Sequence, residues 1–295
     1  MSNITNYATQ FERDLKQKYT REGVSSKLLT PNVQFVNANT VRLPYILLKG
    51  YKDHDRNGDF NRQVLENRWI TKVLAHDRDV EFKVDTMDVD ETNLVLSVAN
   101  ITNTFETEHA IPERDAYVFS KLYSEFVDPT VGNKVADTTV ITAANILDEL
   151  DKINMDMTDK EVPLQGRLLY VTPAIKRILK NAEGIQRHLN ATEGRVNRNI
   201  DFLDDLEIIE VPSARFKTAY DFSDGYAPAV TATQINFILV HPQTVLYGNK
   251  HSYIHMFAPG SDSRTADSYL YQNRAYWDAF LINTRIDGIY FNIAA

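Results

Sequence analysis

The stretch from Val41 to Asp85 constrains this chain most, because it reads as strands that have too little core to stand alone. Val41-Arg42-Leu43-Pro44-Tyr45-Ile46-Leu47-Leu48 is an apolar extended run, and Trp69-Ile70-Thr71-Lys72-Val73-Leu74 is a second, rich in strand formers. Val80-Glu81-Phe82-Lys83-Val84-Asp85 alternates strictly, one face apolar and the other charged. Between the first two runs lies Lys52-Asp53-His54-Asp55-Arg56-Asn57-Gly58-Asp59, too polar for a packed interior. A thin ribbon of two or three strands is marginal in water. Ordering roughly forty residues costs on the order of 1–2 kcal/mol each in backbone entropy. At about 25 cal/mol per Å², offsetting that takes a few thousand Å² of apolar burial. The ribbon cannot find this area on itself, so the neighbouring molecule is expected to supply it.

Elsewhere the chain can build a core. It has 295 residues, 43% hydrophobic and 11% aromatic, which fits one large domain or two ordinary ones. The 40 acids against 32 bases leave a net charge of −8, the wrong sign for sequence-reading of DNA. With no cysteine, disulfides, thiol catalysis and cysteine-ligated metals are excluded. Met1-Ser2-Asn3-Ile4-Thr5 has neither a basic nor an apolar leader region, and no apolar run approaches the ~20 residues of a membrane span. A soluble chain made in a cytoplasm, without membrane contact, is expected, and the sequons at Asn3, Asn100 and Asn190 read as chance.

Along the chain, residues 1–40 open with a polar helical patch (Phe11, Leu15, Tyr19) and become irregular through Gly23, Ser25, Ser26 and Pro31, an arm. After the ribbon, Leu94, Val98, Ile101 and Phe105, then Phe119, Leu122 and Phe126, recur at helical spacing. Asp88 with Glu91 suits a helix start. A helix from Glu91 to Val127 would span ~55 Å. Pro112 lacks an amide donor and clashes with the carbonyl four residues earlier, so a kink or break is expected near His109–Ile111. That leaves two ordinary helices or one bent spine. Helix and strand alternate over 136–247: a helix from Ala143 to Met155, a strand at Arg167–Val171, a helix opened by Thr172-Pro173, and strands at Leu206–Val211 and Ile235–Val240. A strand at His251–Phe257 and a terminal hairpin, Ala275–Ile282 with Gly288–Ile293 about Asp287-Gly288, are expected to close the chain.

Few constellations suggest chemistry. Asp53, Asp55, Asn57 and Asp59 with Gly58 match the first half of a calcium loop. The second half fails, because the bidentate position falls on Val64 and Glu66 comes two residues late; a solvated loop tip accounts for the same residues. His251 and His255 have the spacing of a helical metal pair, but lie in a strand pattern without a carboxylate motif. Asp85, Asp88, Asp90 and Glu91 read as a helix start, not as paired catalytic acids. No nucleophile elbow, phosphate loop, dinucleotide fingerprint or zinc-protease motif is present. No catalytic residue, no resident metal and no cofactor is assigned.

Several stretches nevertheless resemble the major capsid proteins of tailed bacteriophages. Trp69 with His76-Asp77-Arg78 and Phe82 to Thr92 is similar to that family's junction of ribbon and helix. Ile111-Pro112-Glu113-Arg114-Asp115-Ala116-Tyr117 is similar to the middle of its spine helix. Val162 to Arg167, Tyr170-Val171-Thr172-Pro173 and Val211 to Phe216 look like its axial domain. Arg274 to Phe280 before Gly288-Ile289-Tyr290 looks like its closing strands. The likeness runs in consistent order over roughly residues 40–295, and residues 1–40 carry little of it.

The resemblance implies an α+β phage capsid fold: an N-terminal arm (1–40), an extended β-hairpin loop (41–87), a peripheral domain of spine helix and sheet (88–135 and 248–295), and an α/β axial domain (136–247). It implies a structural protein, not an enzyme, that assembles with itself as pentamers and hexamers into an icosahedral shell around double-stranded DNA. The DNA is held without sequence specificity, and the shell forms in the bacterial host cytoplasm and persists in the virion. The short arm points to a separate scaffolding protein, and a portal and decoration proteins are further expected partners. Trp69, Ile70, Lys72, Val80, Phe82 and Val84, with Asp53, Asp55 and Arg56 at the tip, are the expected inter-subunit contacts. Some relatives join subunits by a Lys–Asn isopeptide bond; Lys72 or Lys83 with Asn283 or Asn292 match by residue type only, and no such bond is expected. A bacterial nanocompartment shell is the near alternative. A calcium-dependent binding module or hydrolase using Asp53–Asp59 is the alternative of another class.

Overall fold

The computed structural model describes residues 23–30, 39–54, 65–91, 98–182, 200–261 and 264–294. The expected helical patch at Phe11, Leu15 and Tyr19, Leu94 of the helical repeat, the sequons at Asn3 and Asn190, and Asp55, Arg56, Asn57, Gly58 and Asp59 lie outside them.

The first two strands, β1 (Thr40–Leu47) and β2 (Glu66–Val73), form an antiparallel pair eight residues long, with Leu43 opposite Ile70 and Pro44 opposite Trp69. A two-stranded ribbon consists only of edges, so Pro44 costs no central hydrogen bond. The third run does not belong to it. The strand β3 (Asp77–Asp85) pairs with a strand near the C-terminus, placing Phe82 opposite Tyr271. The alternation identified a strand correctly; the apolar face of β3 is held by its own chain, so the ribbon is thinner than expected.

The short helix α1 (Thr86–Glu91) begins two residues before Asp88: the Met87 amide donates to the Asp85 carboxylate at 2.9 Å, so Asp85 closes the free helix end. The spine follows as α2 (Val98–Phe105), a widened π turn (Glu106–Ala110) and α3 (Ile111–Val127). Backbone angles stay helical across both junctions, at Phe105 (φ −60°, ψ −49°) and Ile111 (φ −65°, ψ −49°). The widened turn is how the backbone accommodates Pro112: it relieves the clash with the earlier carbonyl without ending the helix. One continuous spine of about 45 Å therefore runs from Val98 to Val127.

The α/β unit contains α4 (Ile146–Asp159), β4 (Leu168–Val171), α5 (Pro173–Lys180), β5 (Phe202–Leu203), β6 (Leu206–Glu210), β7 (Tyr220–Asp221), β8 (Ala227–Pro228) and β9 (Ile235–Val240). The Thr172 hydroxyl accepts from the Ile175 amide at 3.4 Å, the expected cap on α5. The long strands β10 (Val245–Phe257) and β11 (Ser268–Leu281) pair antiparallel, and β3 lies on the far side of β11.

The last strand, β12 (Ile289–Ile293), overturns the expected terminal hairpin. It pairs with β9, Phe291 opposite Ile238, at the edge of a sheet ordered β12-β9-β4-β6-β5. Gly288 is needed for close approach, not for a hairpin turn: a Cβ there would meet the Thr244 hydroxyl at 2.1 Å.

Every residue of β4 is buried, and its alternation divides two cores. Leu168 and Tyr170 pack with Phe119, Leu122, Phe126, Phe216 and Phe291 against the spine. Leu169 and Val171 pack with Ile146, Leu150 and Met157 of α4 and Ile175 and Leu179 of α5. The sheet is thus the middle of three layers, the spine helix forming one of the outer two.

Candidate assembly surfaces and the joint beneath them

Among the described residues the ribbon is fixed only at its root. Val41 and Leu74 are buried with Leu246 and Phe280, while further out Ile46, Leu48 and Trp69 stand in water, Trp69 at 58% exposure. Ile70 is half-buried and Asp53 exposed. Lys72 departs from its expected role. It lies beside Glu125 of the spine at 3.4 Å, only 11% exposed, and over the Phe280 ring at 5.8 Å. Glu125 also accepts the Leu281 amide at 2.7 Å. The Lys72 charge therefore pins the ribbon root to its own subunit. Val80, Phe82 and Val84 are likewise half-buried inward: the Phe82 ring stands 5.5 Å from Phe105 and 6.0 Å from Tyr271.

The remaining sequence candidates disperse. His251, Tyr253 and His255 stack in a row on one face of β10, at 6.5 and 5.9 Å. Among the described residues no group of three or more His, Asp or Glu is placed to hold a metal ion. Asn292 is wholly buried between Asp137, at 2.7 Å, and Asn236, at 2.8 Å. Asn283 donates to the Thr130 carbonyl at 3.3 Å, and Lys83 stands on the exposed face of β3.

Sequence reasoning missed the joint under the ribbon. Asp115 of α3 is completely buried; its carboxylate accepts the Val24 amide at 3.1 Å, the Ser25 amide at 3.0 Å and the Arg215 guanidinium at 3.1 Å. One carboxylate thereby joins the segment at Val24–Ser25, the spine and the α/β unit. Asp278 of β11 does similar work beside it, accepting the Ala75 amide at 2.9 Å and the Tyr117 hydroxyl at 2.9 Å. Burial raises the Asp278 carboxyl above the usual carboxylate range.

His76, in the turn between β2 and β3, completes the joint. Its ring stacks on Tyr117 at 3.7 Å and meets Trp277 edge-on at 4.5 Å. Its Nε2 has no hydrogen-bond partner among the described residues and stands 3.9 Å from the Glu113 carboxylate. Burial, helped by the Arg78 charge, lowers the imidazole to about 4. Arg78 holds Glu113 at 2.7 Å and donates to the Phe222 carbonyl at 2.6 Å, tying the strand after the ribbon to the α/β unit. Burial raises Glu113, and Arg78 opposes that. The only sequence signal for this joint was the density of aromatic and charged residues at 76–78 and 113–117.

The ribbon, the spine helix and the α/β unit whose sheet packs against it together make the capsid fold of tailed bacteriophages. The sequence itself matches no protein-family model and no curated protein. Among solved structures, the chain is similar over 98% of its length to a chain of the bacteriophage PhiM1 mature capsid, with 13% identity, a TM-score of 0.72 and 92% of that chain covered. It is similar over 98% to a chain of the capsid of cyanophage P-SCSP1u, with 11% identity, a TM-score of 0.65 and 93% of that chain covered. A chain of the Helicobacter pylori bacteriophage KHP40 head matches over 97%, with 10% identity, a TM-score of 0.64 and 94% of that chain covered.

Proposed function

We propose that the chain is a major capsid subunit of a tailed bacteriophage, assembling with copies of itself, as pentamers and hexamers, into a closed icosahedral shell around double-stranded DNA. The observation that carries this reading is the ribbon. It leaves Trp69, Ile46 and Leu48 in water on a two-stranded element that, among the described residues, has no core beyond its root. Exposed apolar surface of this kind marks an interaction site, and a neighbouring copy supplies the area that the ribbon lacks. The likeness to phage capsid and head chains over nearly the whole length supports the same reading. A separate scaffolding protein, a portal and decoration proteins, with assembly in the host cytoplasm, complete the proposal.

Negative-stain microscopy of the purified protein tests it. Closed particles of uniform size are expected, and a chain that stays monomeric at every concentration tried overturns the reading. Nucleic acid inside particles recovered from infected cells distinguishes a virion from an enzyme-filled compartment.

A further inference from the structure

A cavity of about 150 Å³ opens between the end of the arm, the spine helix and β10. It is lined by Ser25, Ser26, Arg114, Asp115, Asn249 and Trp277, among others. The volume is many times the roughly 10–15 Å³ that a single water needs. The Arg114 guanidinium lies over the Trp277 ring at 5.6 Å and near enough to Tyr247 for its charge to act on that hydroxyl, but it makes no hydrogen bond or ion pair among the described residues. Its planar fork of donors is thus oriented and unused. Asp115 does not neutralise it, because that carboxylate is already occupied by two backbone amides and by Arg215. The Asn249 side-chain amide also lacks a hydrogen-bond partner among the described residues, and the register of β10 against β11 shifts at Asn249. Such a bulge re-aims a side chain and interrupts pairing.

We infer that this cavity receives a carboxylate side chain of a second copy of the chain, clamped by the Arg114 guanidinium and the Asn249 amide. An oriented guanidinium matches a carboxylate in two-pronged geometry. The partner is a second copy because β10, which lines the cavity through Tyr247 and Asn249, is a sheet edge among the described residues. Tyr253, Ile254 and Met256 stand there at 39%, 54% and 50% exposure, surface that contact between copies covers. The chain also carries eight more acids than bases, 40 against 32, so donated carboxylates are plentiful. This inference rests on the shell reading and adds a specific contact to it.

The test compares particles of the full chain, wild type and Arg114→Ala, with Arg114→Lys as the conservative variant. A high-resolution map of wild-type particles is expected to show an Asp or Glu of a neighbouring copy within ion-pair distance of Arg114. Arg114→Ala is expected to raise the protein concentration for half-assembly about tenfold or more. Arg114→Lys should recover part of that, and the melting temperature of the unassembled subunit should be the same in all three. Wild-type particles in which the cavity is empty or filled by the subunit's own Glu12, Asp14 or Glu22 overturn the inference and leave the shell reading standing. So does assembly of Arg114→Ala at the wild-type concentration. A wild-type chain that forms no particles overturns both.

Discussion

Asp115 of the spine helix and Arg215 of the α/β unit form an ion pair at 3.1 Å, with side chains only 1% and 7% exposed. Two charges removed from water are costly unless every lone pair is used. Here the Val24 and Ser25 amides take the remaining acceptor capacity of Asp115. Three segments far apart in sequence therefore depend on one carboxylate.

Asp115→Ala should accordingly destabilise the unassembled subunit by about 3–5 kcal/mol, because it removes the buried carboxylate of the ion pair and the acceptor of two arm amides. Denaturant unfolding measures this. The double variant Asp115→Leu with Arg215→Met should recover much of the loss, since both members of the buried ion pair are replaced together. A double variant no better than the single one would assign the loss to the arm amides.

Acidity should loosen the joint through His76. Its folded pKa of about 4 lies below the ordinary 6.5. Between those values the unfolded chain binds a proton that the folded chain refuses, so stability falls as the pH drops from about 6.5 towards 4. The His76 contribution to that fall is up to about 3 kcal/mol. Glu113 and Asp278, both raised, act in the opposite sense and take up protons first in the folded state. Comparing wild type with His76→Phe at pH 7 and pH 4.5 isolates the histidine: the stability difference should move in favour of the variant at the lower pH. A difference that does not change would show that His76 is protonated as readily in the folded chain as in the unfolded one.

Trp69→Ala and Phe82→Ala should separate assembly from folding. Trp69 is mostly in water, so its loss should change the stability of the unassembled subunit by less than about 0.5 kcal/mol while lowering particle yield. Phe82 packs between Phe105 and Tyr271, so its loss should cost the subunit about 1–3 kcal/mol before any question of assembly arises. Thermal melts of the subunit together with particle counts read both quantities.

Gly132→Ala should cost at least about 2 kcal/mol. The Gly132 amide donates to the carbonyls of Glu125 and Asp128, both at 3.0 Å, where the spine ends. A Cβ would stand 2.1 Å from the Phe126 carbonyl oxygen. A melt unchanged by the substitution would mean that the loop at 128–134 can turn without this contact.

What the sequence determined by itself was local. The alternation from Val80 to Val84 requires a strand, Thr172-Pro173 opens a helix, and Pro112 disturbs one; each follows from the bonding of a few consecutive residues. A ribbon too thin to fold alone was also legible, because it depends only on an apolar pattern and its length. Partner choice was not. The alternation cannot say that β3 belongs to β11, nor can Gly288 say that β12 leaves β11 for β9, because period-two patterns fit any sheet with a free edge. Lys72 read as an inter-subunit contact until the fold brought Glu125 of its own subunit beside it. Nothing near Asp115 named its partners, since they lie about ninety and one hundred residues away in sequence. Only the packed chain brings them together, and burial makes those few contacts decisive: out of water, each charge must be matched by a group whose position the whole fold sets.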